Sequence, residues 1–262
     1  MVHFNISFNW ESGGEESSIK AKNVVPTSKP ILGGRNAEEW EFKYIVSLRR
    51  KDNPGQHSAA GTLVTDRWVL TARHPLINSF YDNTTGKLVI TDAYKMMVVP
   101  KYFNDLRRST RLRKYAAEKT FCHPLPDSPQ VFVIDSDIGL IKLNKPIPLE
   151  SASPYNFTVV KMIEKSSDVE WKQKIKIAGW GRFNLSFQRD SYKLLKADLQ
   201  LFSADQCASH FPDFRKNEEI CAYEPGISQC TGDSGGPGML PKIGSPDLVQ
   251  VGIMSYTEPN CR

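Results

Sequence analysis

The sequence lacks the features that would place the protein in a membrane or on nucleic acid. No apolar run reaches 18 residues, so no membrane-spanning helix is expected. The net charge of +5 is small and dispersed over 262 residues, which does not indicate a nucleic-acid partner. No spacing of cysteine and histidine suggests zinc, and no metal or other cofactor is expected. What remains is a chain long enough for one or two domains with proper cores.

The beginning of the chain also lacks a recognisable targeting segment. Residues 1–20 contain no positively charged stretch followed by an apolar core, so no signal peptide is visible. Four triplets nevertheless match the pattern for N-glycosylation, beginning at Asn5, Asn83, Asn156 and Asn184. The densest basic cluster, residues 107–114, is expected to be a solvated surface loop, with an exosite for acidic partners as the alternative.

Short apolar runs recur along the chain, while long amphipathic helical patterns are scarce. Examples are residues 44–48, 174–178 and 248–253, and the segments between such runs contain glycine, proline, asparagine and aspartate. This pattern predicts an all-β protein, either a sandwich or a barrel.

The most informative segment is residues 230–237, which read CTGDSGGP. It places Ser234 among glycines, which let backbone N–H groups approach a substrate carbonyl. A serine hydroxyl is a poor nucleophile alone, so it needs a base and a set of donors for an oxyanion. A catalytic role for Ser234 therefore requires such partners elsewhere in the chain.

Two further segments supply them. Residues 68–74 (WVLTARH) form an apolar run that ends at His74, which places an imidazole at the end of a buried strand. Residues 137–143 (DIGLIKL) begin with Asp137, which can be buried where the ring needs an acceptor. Each residue alone also has a structural interpretation, as a turn serine, a core histidine or a capping aspartate; together they favour catalysis.

In the order His74, Asp137 and Ser234, these segments resemble the chymotrypsin-like (trypsin-fold, S1 family) serine peptidases. Three other segments resemble this family: the mature N-terminus at residues 31–34, a Gly-Trp-Gly turn at residues 179–181, and the strand at residues 251–256 that binds substrate backbone. The resemblance implies an all-β fold of two six-stranded antiparallel barrels with the active site in the cleft. Residues 1–30 are then a propeptide-like segment and residues 31–262 the peptidase domain, with barrels at about 31–145 and 160–262.

The resemblance also implies catalytic roles. Ser234 attacks the scissile carbonyl to form an acyl-enzyme, His74 transfers the proton, and Asp137 orients the imidazole. The backbone N–H groups of Gly232 and Ser234 form the oxyanion hole. In the activated enzyme, the freed α-amino group of Ile31 pairs with Asp233.

The chain departs from the family pattern at the activation site. Pro30 precedes Ile31, whereas the family has arginine or lysine there, so the resemblance does not identify the activating cut. The floor of the primary substrate pocket is implied at Ser228, where trypsin-like members have an aspartate. The absence of a carboxylate there argues against a preference for arginine or lysine, and the resemblance to elastase-like members of the family implies small or medium apolar side chains. The other implied pocket residues are Gln229, Ser255, Tyr256 and Thr257.

The five cysteines are implied to form two disulfides, Cys207–Cys221 and Cys230–Cys261, which leaves Cys122 unpaired. The bridge that the family usually has beside the catalytic histidine is missing, because Ala59 and Pro75 occupy its positions. His3, His57, His123 and His210 lack a matching segment and are predicted to be surface or loop residues.

The chain ends one residue after Cys261, where the family continues with a further strand and a helix. We therefore expect the second barrel to be incomplete, with an open sheet edge. Two functions remain open. One is a secreted, monomeric serine endopeptidase that acts on proteins or peptides. The other is a non-catalytic or truncated homologue that acts as a binding or regulatory protein.

Overall fold

The computed structural model describes residues 2–5, 31–39, 41–82, 87–92, 96–100, 114–123, 136–149, 157–164, 169–184, 189–242, 244–245, 247–257 and 261. Strands dominate this part of the chain, which confirms the all-β class. The strands are β1 (Val2–Asn5), β2 (Arg35–Asn36), β3 (Ile45–Arg50), β4 (Ala59–Leu63), β5 (Trp68–Thr71), β6 (Ile77–Asp82), β7 (Lys87–Asp92), β8 (Met96–Pro100), β9 (Tyr115–Cys122), β10 (Gly139–Leu143), β11 (Lys174–Gly179), β12 (Arg182–Asn184), β13 (Arg189–Asp190), β14 (Leu195–Leu201), β15 (Glu219–Tyr223), β16 (Pro237–Pro241) and β17 (Leu248–Thr257).

The first barrel is a closed ring of six strands in the order β10-β5-β4-β3-β8-β9. Its strands alternate between inward and outward residues, as in β10, where Gly139, Ile141 and Leu143 are buried and the two residues between them are half-buried. The inward apolar side chains of several strands form one core, which includes Leu48, Val69 and Ile141. Ala59, at one position of the missing disulfide, is fully buried in this core.

The second barrel is also closed. Its strands follow the order β11-β16-β17-β1-β15-β14, and β14 pairs with β11 to complete the ring, while β2 is added at β14. A second core fills it, with Phe4, Ile177, Leu199 and Val251 among its members. The expectation of six strands in each barrel is therefore confirmed for the described residues.

The expectation of an incomplete second barrel with an open edge is wrong. The N-terminal strand β1 lies between β15 and β17 and pairs antiparallel with both, so the backbone groups of that edge are bonded. The sequence does not predict this strand, because four residues form too short a pattern to indicate their place in a sheet. These residues belong to the second barrel although they precede the domain boundary predicted at residue 31.

One short α-helix, α1 (Ala204–His210), follows β14. Its N-terminus is closed by a capping box, in which the Ser203 hydroxyl accepts from the Gln206 backbone N–H and the Gln206 side chain accepts from the Ser203 backbone N–H. Cys207 on its buried face forms a disulfide with Cys221 in β15. The helix is thus tied to the second barrel.

Candidate active site

His74 follows β5 and begins a single turn of 3-10 helix, residues His74–Leu76. Pro75 suits the first turn for two reasons. Its φ is fixed near the helical value, and the backbone N–H that proline lacks would have no partner inside the helix at this position. The imidazole is partly exposed, at 28% of its side-chain surface, and its Nδ1 lies 2.7 Å from Asp137 Oδ2. Because the carboxylate can only accept, Nδ1 carries a proton, and in the neutral form of the ring Nε2 is left as an acceptor.

Asp137 precedes β10 and is fully buried. Its Oδ1 accepts from the His74 backbone N–H at 2.7 Å, and its Oδ2 accepts from the Ser255 hydroxyl at 2.6 Å. Burial alone would raise the pKa of Asp137, but the hydrogen bonds from His74 and Ser255 and the charge of His74 bring the pKa below its ordinary value. The acid is therefore ionised and held from two directions.

Ser234 lies in the loop between β15 and β16 and is half-buried. Its backbone carbonyl accepts from the Ala60 N–H at 2.8 Å. The Ala60 carbonyl accepts in turn from the Thr71 hydroxyl, three residues before His74. The serine loop of the second barrel is thus bonded to the strands that precede the histidine. Among the described residues, no hydrogen bond joins the Ser234 hydroxyl to His74.

Gly232 has a backbone φ of +99°, in the region that favours glycine. This conformation turns the Gly232 carbonyl toward His57, whose Nε2 lies 2.8 Å from it. A carbonyl only accepts, so His57 Nε2 carries the proton and Nδ1 is an acceptor. The Ser47 hydroxyl, 2.8 Å from Nδ1, therefore donates to it. A buried histidine thus fixes the backbone of the loop that contains Ser234.

His57 lies in the loop between β3 and β4, but it is not a surface residue, because only 6% of it is exposed. Burial lowers its pKa to about 4, the bond to Gly232 opposes this shift, and the charge of Arg49 adds to it. The ring is neutral at pH 7. No pattern in the sequence indicates this role, since His57 follows a polar turn and its partner is far along the chain. His123 and His210 are exposed, as predicted, and the His3 side chain lies outside the described ones.

Asp233 is fully buried beside Ser234. Its Oδ1 accepts from the Gly181 N–H at 2.8 Å and its Oδ2 from the Cys230 N–H at 2.9 Å. Ile31, the other member of the implied activation pair, is fully buried in the core of the second barrel. The carboxylate therefore connects the serine loop to the Gly-Trp-Gly turn of residues 179–181.

The implied pocket residues lie on β17 and in the loop between β15 and β16 that also contains Ser234. The hydroxyls of Ser228 and Thr257 are 3.1 Å apart, and Gln229 Nε2 donates to the Tyr256 carbonyl at 2.5 Å. Ser228, Gln229 and Ser255 are buried, whereas Tyr256 and Thr257 are half-buried. The Tyr256 hydroxyl points to the buried carboxylate of Glu219, 3.3 Å away.

Both disulfides that the resemblance implied are present, Cys207–Cys221 and Cys230–Cys261. The second connects the serine loop to the residues after β17. Cys122, which is in neither bridge, is half-buried and packs against the core of the first barrel. Arg73, a buried cation beside His74, donates from Nη1 to the His123 carbonyl at 3.2 Å.

Two expectations concern features outside the site. Among the described residues, no helix is long and apolar enough to cross a membrane. The basic cluster at residues 107–114 lies outside the described residues except for Lys114, which is half-buried.

Comparison with known proteins agrees with the resemblance. The sequence model of the trypsin family matches residues 31–262. The chain is 27% identical over 260 residues to mannan-binding lectin serine protease 1 of Mus musculus, covering 90% of this chain and 35% of that protein. It is 25% identical over 256 residues to lectizyme of Glossina austeni, covering 94% of this chain and 85% of that protein. It is 28% identical over 211 residues to trypsin-1 of Salmo salar, covering 79% and 74%. The chain thus spans about a third of the length of the mouse protein.

Proposed function

The chain belongs to the trypsin family of serine-type endopeptidases, and from this premise we propose that it cleaves peptide bonds through a triad of His74, Asp137 and Ser234. The observation that carries this proposal is the double hydrogen bond between His74 and the buried Asp137. It fixes the tautomer that leaves Nε2 free to accept a proton from a serine hydroxyl.

In the proposed reaction, the Ser234 Oγ attacks the scissile carbonyl while its proton moves to His74 Nε2. The tetrahedral oxyanion accepts from the backbone N–H groups of Gly232 and Ser234. His74 then gives its proton to the leaving amine, and an acyl-enzyme on Ser234 remains. Water, deprotonated by His74, releases the acid product. The contact between Ser234 and His74 closes in the substrate complex, since catalytic hydrogen bonds are often long without substrate.

We propose that the substrates are proteins or peptides with a small or medium apolar side chain before the cleaved bond. Hydroxyls of Ser228 and Thr257 face each other in the candidate pocket, so the implied pocket floor offers a hydroxyl and not a carboxylate to a substrate side chain. Replacing Thr257 by glycine would widen the pocket. We expect Thr257→Gly to raise kcat/KM for a phenylalanine substrate relative to an alanine substrate about tenfold. An unchanged ratio of the two kcat/KM values would show that Thr257 does not line the pocket.

Two disulfides are typical of proteins from oxidising compartments. This observation supports the proposal that the protein is secreted. The alternative function, a binding protein without catalytic activity, depends on an incomplete second barrel. Because β1 closes that barrel, this reason for the alternative no longer holds.

The test of catalysis is labelling with a fluorophosphonate probe, which reacts with an activated serine. We expect Ser234→Ala to abolish labelling and peptide hydrolysis. Ser209→Ala, a matched change on the exposed face of α1, should leave both unchanged. Circular dichroism shows whether each protein is folded. Folded protein that is not labelled after cleavage before Ile31, or labelling that persists in Ser234→Ala, would refute the proposal.

A further inference from the structure

The strand β1 is bonded on both sides to the second barrel. Its register places Phe4 opposite Ile220 of β15 and opposite Met254 of β17. The pairing with β15 continues without interruption over all four residues of β1. A strand with two neighbours uses its backbone donors and acceptors on both edges, so β1 is an internal strand of the sheet.

The side chain of Phe4 fills part of the barrel core. It is fully buried and belongs to the same core cluster as Leu240 and Met254. Its ring lies over Gly238 of β16, so closely that a Cβ on that glycine would be 2.7 Å from two ring carbons. The barrel wall is therefore shaped to accept an aromatic ring from the N-terminal strand.

No disulfide can join this strand to the rest of the molecule. All five cysteines lie at or after Cys122, and four of them form the two bridges described above. The only covalent link between β1 and the peptidase domain is the peptide chain of residues 6–30. After a cut anywhere in that segment, β1 is held to the second barrel only by its hydrogen bonds to β15 and β17 and by the packing of Phe4.

We propose that β1 remains in the barrel as a separate, non-covalently bound peptide after the chain is cut between Asn5 and Ile31. The activated protein is then a complex of two chains, in which the N-terminal peptide is a structural subunit. The idea that activation requires a cut before Ile31 rests on the proposed function. The idea that β1 stays bound after a cut does not depend on it.

The position of β1 gives it influence on the catalytic loop. Its neighbour β17 contains Ser255, which donates to Asp137. The backbone of Met254, also in β17, donates to the Gly236 carbonyl and accepts from the Gly235 N–H, both at 2.8 Å. Removing β1 would leave β17 paired on only one side, so its bonds to the acid and to the serine loop would lose support.

The experiment uses the full chain with the substitution Ser234→Ala, so that its outcome does not depend on catalysis. A recognition sequence for a site-specific protease is inserted among residues 6–30, and the chain is cut to completion. We expect the N-terminal fragment to elute with the remainder in gel filtration at micromolar concentration, and native mass spectrometry to detect a one-to-one complex. Phe4→Ala in the same protein should weaken the complex by about 10² to 10³ in Kd.

The matched control is Phe121→Ala in β9 of the first barrel, where the ring is 39% exposed. It should leave the Kd within about twofold of the parent protein. If Phe4→Ala does not fold, amide hydrogen exchange of residues 2–5 in the cut parent protein decides, because a bound strand is protected and a released one is not. Release of the parent fragment at micromolar concentration would overturn the proposal. Mixed dimers between isotopically labelled and unlabelled intact chains would overturn it too, since they would place β1 in a second copy.

Discussion

The two barrels differ in how they are closed. All six strands of the first barrel lie between Ile45 and Leu143, whereas the second needs Val2–Asn5 beside strands that begin at Lys174. Both disulfides are in the second barrel, and none is formed by the described part of the first. Contacts between distant segments are entropically costly to form. The barrel whose paired strands are farthest apart in the sequence is therefore also the one that contains disulfides.

Side chains of each barrel nevertheless make hydrogen bonds to the part of the candidate site that lies in the other barrel. The first barrel supplies His57, which donates to the Gly232 carbonyl in the serine loop of the second. The second barrel supplies Ser255, which donates to Asp137 at the edge of the first. A residue of the first barrel thus positions the loop of Ser234, and a residue of the second barrel positions Asp137. The predictions below test these two contacts separately.

The largest effect is expected for the acid of the first barrel. Asp137→Asn keeps the volume but removes the charge that fixes the His74 tautomer, so kcat should fall by roughly 10⁴. Asp198→Asn changes a half-buried aspartate that bonds to Lys176 and Arg35 and should leave kcat within about twofold. Steady-state kinetics with a peptide substrate measures both. A loss of less than tenfold in Asp137→Asn would contradict the assigned role.

A smaller effect is expected in the second barrel at Gly232. A side chain is strained at its φ of +99°, so Gly232→Ala should displace an oxyanion donor and lower kcat by about 10² to 10³. Gly244→Ala is the matched control, because Gly244 also has a positive φ of +72° and no atom would lie within 4 Å of an added Cβ. Equal activity losses in the two variants would show that strain alone, and not the oxyanion loop, is responsible.

The contact from the first barrel to the second predicts a pH dependence of stability. The pKa of His57 is about 4 in the folded protein and about 6.5 in the unfolded chain. Between these values only the unfolded chain binds the proton, so His57 lowers the free energy of unfolding as pH falls, by about 3 kcal/mol in total. Below pH 4 its contribution stays constant.

Urea unfolding at pH 7 and pH 4 measures this contribution. In His57→Gln, which can still donate to Gly232, the difference in unfolding free energy between the two pH values should shrink by about 3 kcal/mol. The exposed His210 provides the control, and His210→Gln should leave the difference unchanged. The same pH dependence in all three proteins would contradict burial of a neutral His57.

The smallest effect is expected for the contact from the second barrel to the first. Ser255→Ala removes one of three donors to Asp137, so kcat should fall about tenfold. Losing a donor to the ionised form also raises the pKa of Asp137, which an NMR titration of that carboxylate should detect. Ser245→Ala, at a half-buried position between β16 and β17, should change neither quantity. An unchanged pKa of Asp137 in Ser255→Ala would mean that the hydrogen bond from Ser255 does not stabilise the ionised acid.

Local patterns in the sequence predicted the strands of both barrels where apolar residues alternate or run together. Residues 174–178 illustrate this, because this short apolar run lies within β11. The resemblance led to the two disulfides and to the residues of the candidate site. It failed at β1 and at His57, since neither a four-residue strand nor a lone histidine after a polar turn has a pattern that identifies its partner.

The sequence alone determined the residue types of the site and their order along the chain, because a nucleophile, a base and an acid must each be encoded at a position. Only the tertiary structure decided that the N-terminal strand lies between β15 and β17 and that a buried His57 bonds to the loop of Ser234. The physical reason is distance along the chain. Each of these contacts joins segments more than 170 residues apart, and such pairs are selected by the complementarity of packed surfaces and not by local conformational preference.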